Sequence, residues 1–443
     1  MTRNTNFIAL LDQNPKIERV EAFVVDINGA PRGKWLHRDK ALSLVTKGLP
    51  MPYSVYALDI WGADVEEAGL AFGTGDPDGV CWPIDATAAL IPWAEKPTAQ
   101  LMLSMKDASG EPYFADPRVI LGSVVKRLEL LGYTAVVATE LEFYLTDRKL
   151  SAGDDVPPGA GQVLSIDALN EHQVVINAIM DACHMQNVPA DTVLRENGPG
   201  QYEVNVVHCA DACAAADHAT LLKRIVKGCA RQHGMEATFM AKPYGDQSGS
   251  GMHVHCSLLD QDGKPVFADD TGAPTKALFY GVGGLLATMP DMMLLFAPHA
   301  NSYRRFRKNS HAPVSAGWGM DDRSAAVRVI TGKPTETRIE QRVSGADCNP
   351  YLAVAGILAG VLHGITEKIE PCAALDPADC GTAGLPLPLE WGQAIDRFAA
   401  SKTVEALFGA SVRNMIVACK RQDYDGMLGR VSDVDYRTYF SAV

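Results

Sequence analysis

The sequence lacks the features of a secreted or membrane protein. None of its ten cysteines forms a CxxC pair, and scattered thiols in a chain of 443 residues are typical of reduced, packed cysteines. The N-terminus has no signal-peptide apolar run, and the longest apolar stretch, residues 281–297, is interrupted by Pro290 and Asp291. We therefore expect a cytoplasmic protein without a membrane span.

Basic residues are also in deficit, with 40 Lys plus Arg against 53 Asp plus Glu and a formal charge of -13. This balance argues against a nucleic-acid partner and mildly favours cationic ligands. There is no internal repeat and no low-complexity tract. The length predicts one small and one large domain.

Local signals predict an α+β protein in two parts. Asn28-Gly29 follows a strand candidate and predicts a hairpin, in an N-terminal unit that we place at residues 1–105. In the larger part, residues 106–443, Asp116-Pro117 and Asn349-Pro350 each predict the start of a helix. Asp167 is predicted to cap a helix that runs to about residue 186.

The most informative stretch is residues 242–258, KPYGDQSGSGMHVHCSL. From Gly251 onward its residues alternate, so His253, His255 and Ser257 share one face of a predicted strand and apolar residues occupy the other. The preceding run of Ser and Gly has little side-chain bulk. A ligand can therefore approach the backbone closely at Gly249.

Other predicted strands repeat this pattern of one apolar and one ionisable face. An antiparallel sheet that is backed by helices on its apolar face and lines a polar cavity with its other face would satisfy all of them. The ionisable residues on these strands are Glu140, Glu142, Glu203, Arg328, Arg338, Glu340 and Arg342.

This residue set indicates phosphoryl transfer. Carboxylates with one imidazole suit Mg²⁺ or Mn²⁺ better than zinc. Arginines bind phosphate and carboxylate groups, and metals with guanidinium groups neutralise the charge of a transferring phosphoryl group. The candidate arginines are Arg305, Arg323, Arg328, Arg338 and Arg342.

Each motif alone has a structural alternative. Glu140 and Glu142 can form a solvated strand face, the two histidines can be structural, and the arginines can form surface or subunit-interface ion pairs. Tyr53 and Tyr56, which lie near Trp61, can be packing residues. Their joint occurrence in one order favours the functional interpretation.

The ordered motifs resemble the glutamine synthetase family over nearly the whole chain. They are ELEF from Glu140, ENGPGQYE from Glu196, GSGMHVHCS from Gly249, NSYRR ending at Arg305, and RIEQR from Arg338. The resemblance implies an N-terminal β-grasp domain, a C-terminal catalytic domain, and ring-shaped oligomers, such as a double-ring dodecamer, with active sites between subunits.

The resemblance also implies residue roles. Glu142, Glu196 and Glu203 match the ligands of one metal, and Glu140, His253 and Glu340 match those of a second metal near the nucleotide. Other residues match family positions that contact the substrates or act in catalysis. ATP contacts match His255, Ser257, Arg328 and Arg338, glutamate contacts match Gly249, Arg305 and Arg342, and catalytic positions match Arg323, Arg338 and Glu340.

Departures from the family lie at the ammonium site. The Phe-Asp-Gly-Ser-Ser motif is replaced by MPYSVY from residue 51, His311 stands where the family has a glutamate, and Ser248 replaces an asparagine. Losing two anionic partners weakens ammonium capture and leaves room for a larger amine, as in γ-glutamylputrescine and γ-glutamylpolyamine synthetases. The candidate amine-site residues are Tyr53, Tyr56, Asp59 and His311, with Glu66 or Glu67 as further partners of a distal ammonium.

The predicted reaction is ATP-dependent ligation of the γ-carboxylate of glutamate to an amine through γ-glutamyl phosphate, with a polyamine such as putrescine the leading acceptor. Three alternatives remain open at this point. They are a ligase for monoamines, ethanolamine or aromatic amines, an ordinary glutamine synthetase, and an inactive structural or regulatory member of the family.

Overall fold

The computed structural model describes residues 5–71, 73, 75–147, 162–307, 310–376 and 384–443. Its two main sheets and the helices around them form an α+β fold, as predicted. The helices are α1 Thr5–Gln13, α2 Arg38–Leu42, α3 Leu44–Lys47, α4 Pro117–Leu130, α5 Ile166–Asn170, α6 Gln173–Met185, α7 Ala212–Gln232, α8 Lys276–Phe296, α9 Pro350–Glu367, α10 Trp391–Ala400, α11 Lys402–Phe408, α12 Ala410–Leu428 and α13 Asp433–Tyr439.

The N-terminal sheet has six strands in the order β2-β1-β6-β4-β3, with β5 also pairing with β6. The Asn28-Gly29 turn joins β1 and β2, which pair antiparallel, whereas β1 and β6 are parallel. Gly29 has a φ of 76°, a left-handed conformation that favours glycine. The strands are β1 Arg19–Val25, β2 Pro31–His37, β3 Leu49–Pro52, β4 Asp78–Pro83, β5 Ala89–Leu90 and β6 Thr98–Lys106.

The second sheet has eight strands in the order β13-β14-β15-β11-β7-β9-β8, with β10 also pairing with β7. Its pairs are antiparallel, as predicted, except that β13 and β14 are parallel. The strands are β7 Thr134–Asp147, β8 Ala190–Arg195, β9 Gln201–Cys209, β10 Met235–Thr238, β11 Met252–Leu259, β13 Trp318–Met320, β14 Val327–Ile330 and β15 Arg338–Gln341; β12 Ser315–Ala316 and β16 Leu385–Pro386 form a separate pair.

Helices cover one face of the second sheet. On β7 the side chains of Leu141, Phe143 and Leu145 are fully buried, and α4 and α7 pack against this strand. The predicted helix starts are confirmed for α4 and α9. Asp116 accepts a hydrogen bond from the N–H of Arg118, and Asn349 caps α9 in the same way. The opposite face of the sheet is left for polar side chains.

One expectation about helices needs correction. The predicted helix capped by Asp167 is two helices, α5 and α6, and the capping residue of α5 is Ser165, which accepts a hydrogen bond from the N–H of Ala168. Helix α8 includes Pro290. Helices α8 and α9 are long and apolar enough to cross a membrane, but 78% of each tested segment is buried inside the protein, as in core helices.

The turn between β1 and β2 is attached to the C-terminal part of the chain. Asn349 donates from Nδ2 to the carbonyl oxygens of Asp26, at 2.9 Å, and Ile27, at 3.3 Å. Lys420 on α12 is buried and donates from Nζ to Asn28 and to Asp423, the latter at 2.8 Å. These contacts hold the N-terminal sheet beside the helical layer of the second sheet.

Candidate active site

The strand register of the second sheet brings the predicted ionisable residues together. Glu140 on β7 lies directly opposite His253 on β11, and His255 lies opposite Glu340 on β15. Glu142 lies opposite Glu203 on β9. Directly opposed residues of antiparallel strands share a face of the sheet, so these side chains all point into the polar cavity.

The first predicted metal set is a compact group. One carboxylate oxygen from each of Glu142, Glu196 and Glu203 lies within 4.8 Å of the others. Glu196 directly follows β8, and its N–H donates to the carbonyl oxygen of Gln201 at 3.0 Å, which closes the turn between β8 and β9. This turn places the third carboxylate beside the other two.

The second predicted set, Glu140, His253 and Glu340, is also close together. His253 Nδ1 lies 3.2 Å from a Glu140 oxygen and 3.9 Å from a Glu340 oxygen. His255, predicted as an ATP contact, lies beside the same group, with Nε2 2.9 Å from Glu140 Oε1. One ligand atom from each of Glu140, His255 and Glu340 lies within 4.8 Å of the others.

Burial and mutual repulsion perturb these carboxyl groups strongly. Burial, with the neighbouring charges of Glu140 and Glu142, raises the pKa of Glu203 to about 9. Burial and the charge of Glu196 raise the pKa of Glu142 to about 7. Burial also acts to raise the pKa of Glu140, but hydrogen bonds from His253 and His255 outweigh it and lower that pKa.

This donor set fits a divalent cation. Buried carboxylates that lie close together have raised pKa values, and a cation bound between them supplies the counter-charge that favours their ionised form. Asn205 adds an oxygen, because its Oδ1 is buried and has no hydrogen-bond partner among the described residues. Oxygen-rich sites of this kind suit Mg²⁺ or Mn²⁺.

Three of the predicted arginines lie at Glu340 and the neighbouring His255. Arg328 Nη1 lies 3.0 Å from Glu340 Oε2, and Arg342 pairs with the other oxygen of this carboxylate. Arg342 also donates from Nε to the carbonyl oxygen of Arg323 at 3.0 Å, and Arg338 donates from Nε to His255 Nδ1 at 3.2 Å. The guanidinium groups of Arg328, Arg338 and Arg342 therefore lie beside Glu340 and His255.

Gly249 is closely packed against other residues of the chain. A Cβ atom there would lie 2.7 Å from the carbonyl oxygen of Ala241 and 2.7 Å from Arg305 Cγ. Arg305 is buried and donates to the carbonyl oxygens of Val343, at 2.7 Å, and Arg342, at 3.1 Å. The glycine thus lets the Arg305 side chain lie against the backbone beside Glu142.

Two adjoining cavities meet at this cluster. One, of about 400 Å³, is lined by both predicted metal sets together with Gly249, Arg305, His311, Arg323, Arg328 and Arg342. The other, of about 450 Å³, is lined by His255, Ser257 and Arg338. Glu140 and Asn205 line both cavities. They therefore stand at the boundary between the two compartments.

The predicted amine-site residues are divided. His311 lines the 400 Å³ cavity, whereas Tyr53, Tyr56 and Asp59 are not among its lining residues. Tyr56 is buried and donates to Asp116 at 3.0 Å, and Tyr53 stacks on the ring of Tyr113. Asp59 is buried and accepts from the N–H groups of Trp61 and Ala63 and from Gln422 Nε2. Within one chain these three residues have structural partners.

Two residues of the site were not predicted. Gln201 is buried and donates from Nε2 to the carbonyl oxygen of Gly249 at 3.0 Å, and to Glu142 at 3.4 Å. Asn205 lies opposite Glu140. Both share the alternation of Glu203 on β9. The sequence already places Asn205 on the polar face of that strand, and giving a site role to every residue of that face would have found both.

Comparison with known proteins identifies the group to which the chain belongs. Residues 114–439 match the model of the glutamine synthetase catalytic domain. The chain belongs to the glutamine synthetase family. The match covers the whole second sheet and most of the helices packed around it. Membership places the chain among the ATP-dependent carbon–nitrogen ligases that use divalent metals.

Individual members of the glutamine synthetase family are similar over most of their length. The γ-glutamylputrescine synthetase of Escherichia coli K12 is 38% identical over 425 residues, which are 93% of this chain and 89% of that protein. A glutamate–isopropylamine ligase of a Pseudomonas species is 35% identical, covering 80% of this chain and 79% of that one. A solved structure of GmaS with ADP superimposes with a TM-score of 0.86 at 24% identity, covering 98% of this chain and 99% of that one, which shows the shared fold.

Proposed function

We propose that this protein uses ATP to join the γ-carboxylate of L-glutamate to a polyamine, with putrescine as the leading acceptor. One observation carries the proposal. The carboxylates of β7, β9 and β15 and His253 of β11 converge with four arginines on a single cavity, and His311, an uncharged or cationic side chain, lines the same cavity. The name of the E. coli relative supports a diamine as the acceptor.

We assign the two metal sets to Glu142, Glu196 and Glu203, and to Glu140, His253 and Glu340. Divalent cations held there, Mg²⁺ or Mn²⁺, supply counter-charge for the phosphates. The strands and the turn after β8 would hold these ligands around the cations, and Glu340 is additionally oriented by Arg328 and Arg342.

The two cavities separate the substrates. His255, Ser257 and Arg338 contact ATP from the 450 Å³ cavity, and Arg328 contacts it from the 400 Å³ cavity. Gly249, Arg305 and Arg342 hold glutamate in the 400 Å³ cavity. Arg323 and Arg338 neutralise charge on the transferring phosphoryl group, as guanidinium groups do in such reactions. The γ-carboxylate oxygen bonds to phosphorus and ADP leaves.

In the second step, the amine nitrogen bonds to the carbonyl carbon of the γ-carboxyl group, and the bond between this carbon and the phosphate oxygen breaks. Inorganic phosphate leaves, and the nitrogen loses a proton as the amide forms. An ammonium ion would gain little from His311, which replaces an acidic partner in the predicted pattern. A longer amine gains contact area in a cavity of about 400 Å³.

We further propose an assembly in which the active site is completed by a neighbouring subunit. We propose a double-ring dodecamer, in which Tyr53 or Asp59 of one subunit would approach the cavity of the next subunit. The N-terminal sheet, with its parallel β1–β6 pair, supports assignment of residues 1–105 to a β-grasp domain and residues 106–443 to the catalytic domain. The packed α8 and α9 support a cytoplasmic location.

The test is an acceptor screen that measures phosphate release with ATP, glutamate and one amine at a time, and identifies each product by mass. Ammonia, ethanolamine, isopropylamine, an aromatic amine and putrescine form the panel. We expect the highest kcat/KM with putrescine and the mass of γ-glutamylputrescine. Strong turnover with ammonia and none with larger amines would contradict the proposal. A Glu340→Gln variant controls for phosphate released by contaminating ATPases.

A further inference from the structure

An apolar strip lies inside the otherwise charged 400 Å³ cavity. Val163, Leu164 and Leu194 line this cavity together with Glu196 and Glu203. Leu194 lies directly opposite Glu203 in the β8–β9 pair, so its side chain is on the same face of the sheet as that carboxylate. Neither metal binding nor phosphate binding requires apolar side chains at this position.

The strip is open to ligand within the chain. Val163 is 49% exposed and Leu164 is 68% exposed, whereas the apolar residues on the other face of the sheet are fully buried. Exposed apolar surface that adjoins a polar cavity is typical of a ligand-binding wall. The strip therefore lacks a covering element among the described residues.

Leu164, the most exposed residue of the strip, has an unusual backbone conformation. Its φ is 61°, in the left-handed region that residues other than glycine, asparagine and aspartate rarely adopt. The Leu164 N–H donates to the carbonyl oxygen of Arg195 at 2.9 Å, and Ser165 begins α5 immediately afterwards. Leu164 is thus fixed beside Glu196, the residue that follows Arg195.

A second residue with this conformation lines the same cavity. His311 has a φ of 55°. Strained backbone conformations concentrate at functional sites, where the surrounding structure holds them in place. The cavity therefore has two positioned side chains, one apolar and one imidazole, outside the carboxylate and arginine clusters.

We propose that Val163, Leu164 and Leu194 form the subsite for the alkyl chain of the acceptor amine. This inference rests on the proposed function and specifies which part of the amine the chain recognises. An ammonium ion has no apolar surface to bury against the strip. An alkylamine gains about fourfold in kcat/KM for each methylene group that is transferred from water to an apolar wall.

The test compares methylamine, ethylamine, propylamine and butylamine as acceptors in wild type and variants. Leu164→Asn removes the apolar surface while keeping a residue that tolerates a positive φ, so the backbone conformation is retained. Leu164→Met keeps the apolar surface. Leu130→Asn, at the exposed end of α4, is the matched control, because Leu130 is 78% exposed and is not among the residues that line either cavity.

We expect wild type to prefer butylamine over methylamine, and Leu164→Asn to reduce this ratio of kcat/KM by about tenfold. Leu164→Met and Leu130→Asn should keep the ratio. A wild-type preference that survives Leu164→Asn would overturn the subsite. So would a Leu164→Asn protein with an altered oligomer mass and an unchanged ratio, because the strip would then be a subunit contact. Failure of wild type to use any amine would reject the proposed function itself.

Discussion

The raised pKa of Glu203 predicts that removing this carboxylate stabilises the metal-free protein. At pH 7.5 the folded chain must carry a proton on Glu203, whose pKa is about 9, although the usual value is 4.5. Because pH 7.5 is about three pH units above the usual pKa, keeping this proton bound lowers the free energy of unfolding by roughly 4 kcal/mol. Glu203→Gln removes this cost, because an amide of nearly the same shape is neutral in both the folded and the unfolded chain.

The sign of the pH dependence follows from proton counting. Between pH 4.5 and 9 the folded protein binds more protons at Glu203 than the unfolded chain does. The stability of the metal-free wild type should therefore fall as pH rises through this range, and fall less in Glu203→Gln. For a chain of this length, 1 kcal/mol corresponds to roughly 1 to 2 °C in Tm, so we expect Glu203→Gln to melt about 4 to 8 °C higher at pH 7.5.

The assay is thermal melting at pH 6, 7.5 and 9, first with a chelator and then with saturating Mg²⁺. Magnesium binds only the folded wild type and should raise its Tm, most at high pH, whereas Glu203→Gln should gain little. Glu95→Gln, at an exposed glutamate, is the control. A lower Tm for metal-free Glu203→Gln than for wild type, or an equal gain from Mg²⁺ in both proteins, would refute the reasoning.

Two further predictions concern single contacts. Lys420→Met leaves the buried Asp423 without its counter-charge, so we expect a loss of about 3 to 5 kcal/mol in the free energy of unfolding and a lower Tm. Lys402→Met, at an exposed lysine, should melt like wild type. Equal melting temperatures of the two variants would contradict a stabilising role of the Lys420–Asp423 ion pair. Gly249→Ala places a Cβ 2.7 Å from a backbone carbonyl oxygen and should raise the KM for glutamate at least tenfold. Gly245→Ala, with open space at its Cβ, should leave this KM unchanged. The assay is steady-state kinetics with varied glutamate, and an unchanged KM in Gly249→Ala would contradict the proposed contact.

Local patterns predicted the parts of the fold that depend on neighbouring residues. The two-residue alternation predicted which face of β7 holds Glu140 and Glu142, and the face of β11 that holds His253 and His255. The Asp116-Pro117 signal predicted the start of α4. In each case a short segment contains all the information, because side-chain direction in a strand and capping at a helix end are local properties.

Features that depend on distant partners could not be predicted from these patterns. The alternation did not indicate that His255 lies opposite Glu340, since register is decided by the pairing of two strands far apart in sequence. Leu164 has a positive φ and a hydrogen bond to the distant Arg195, and no residue-type signal marks this conformation.

The contact of Lys420 with Asn28 joins positions 392 residues apart. During synthesis, the first hairpin therefore leaves the ribosome long before the helix that secures it. Until α12 emerges, the N-terminal sheet has to persist without this partner, and contacts of such long sequence separation form late in folding. A nascent chain released before residue 420 would keep every carboxylate of the cavity but lack the contact of Lys420 with Asn28. The attachment of the N-terminal hairpin therefore depends on synthesis of the chain as far as α12.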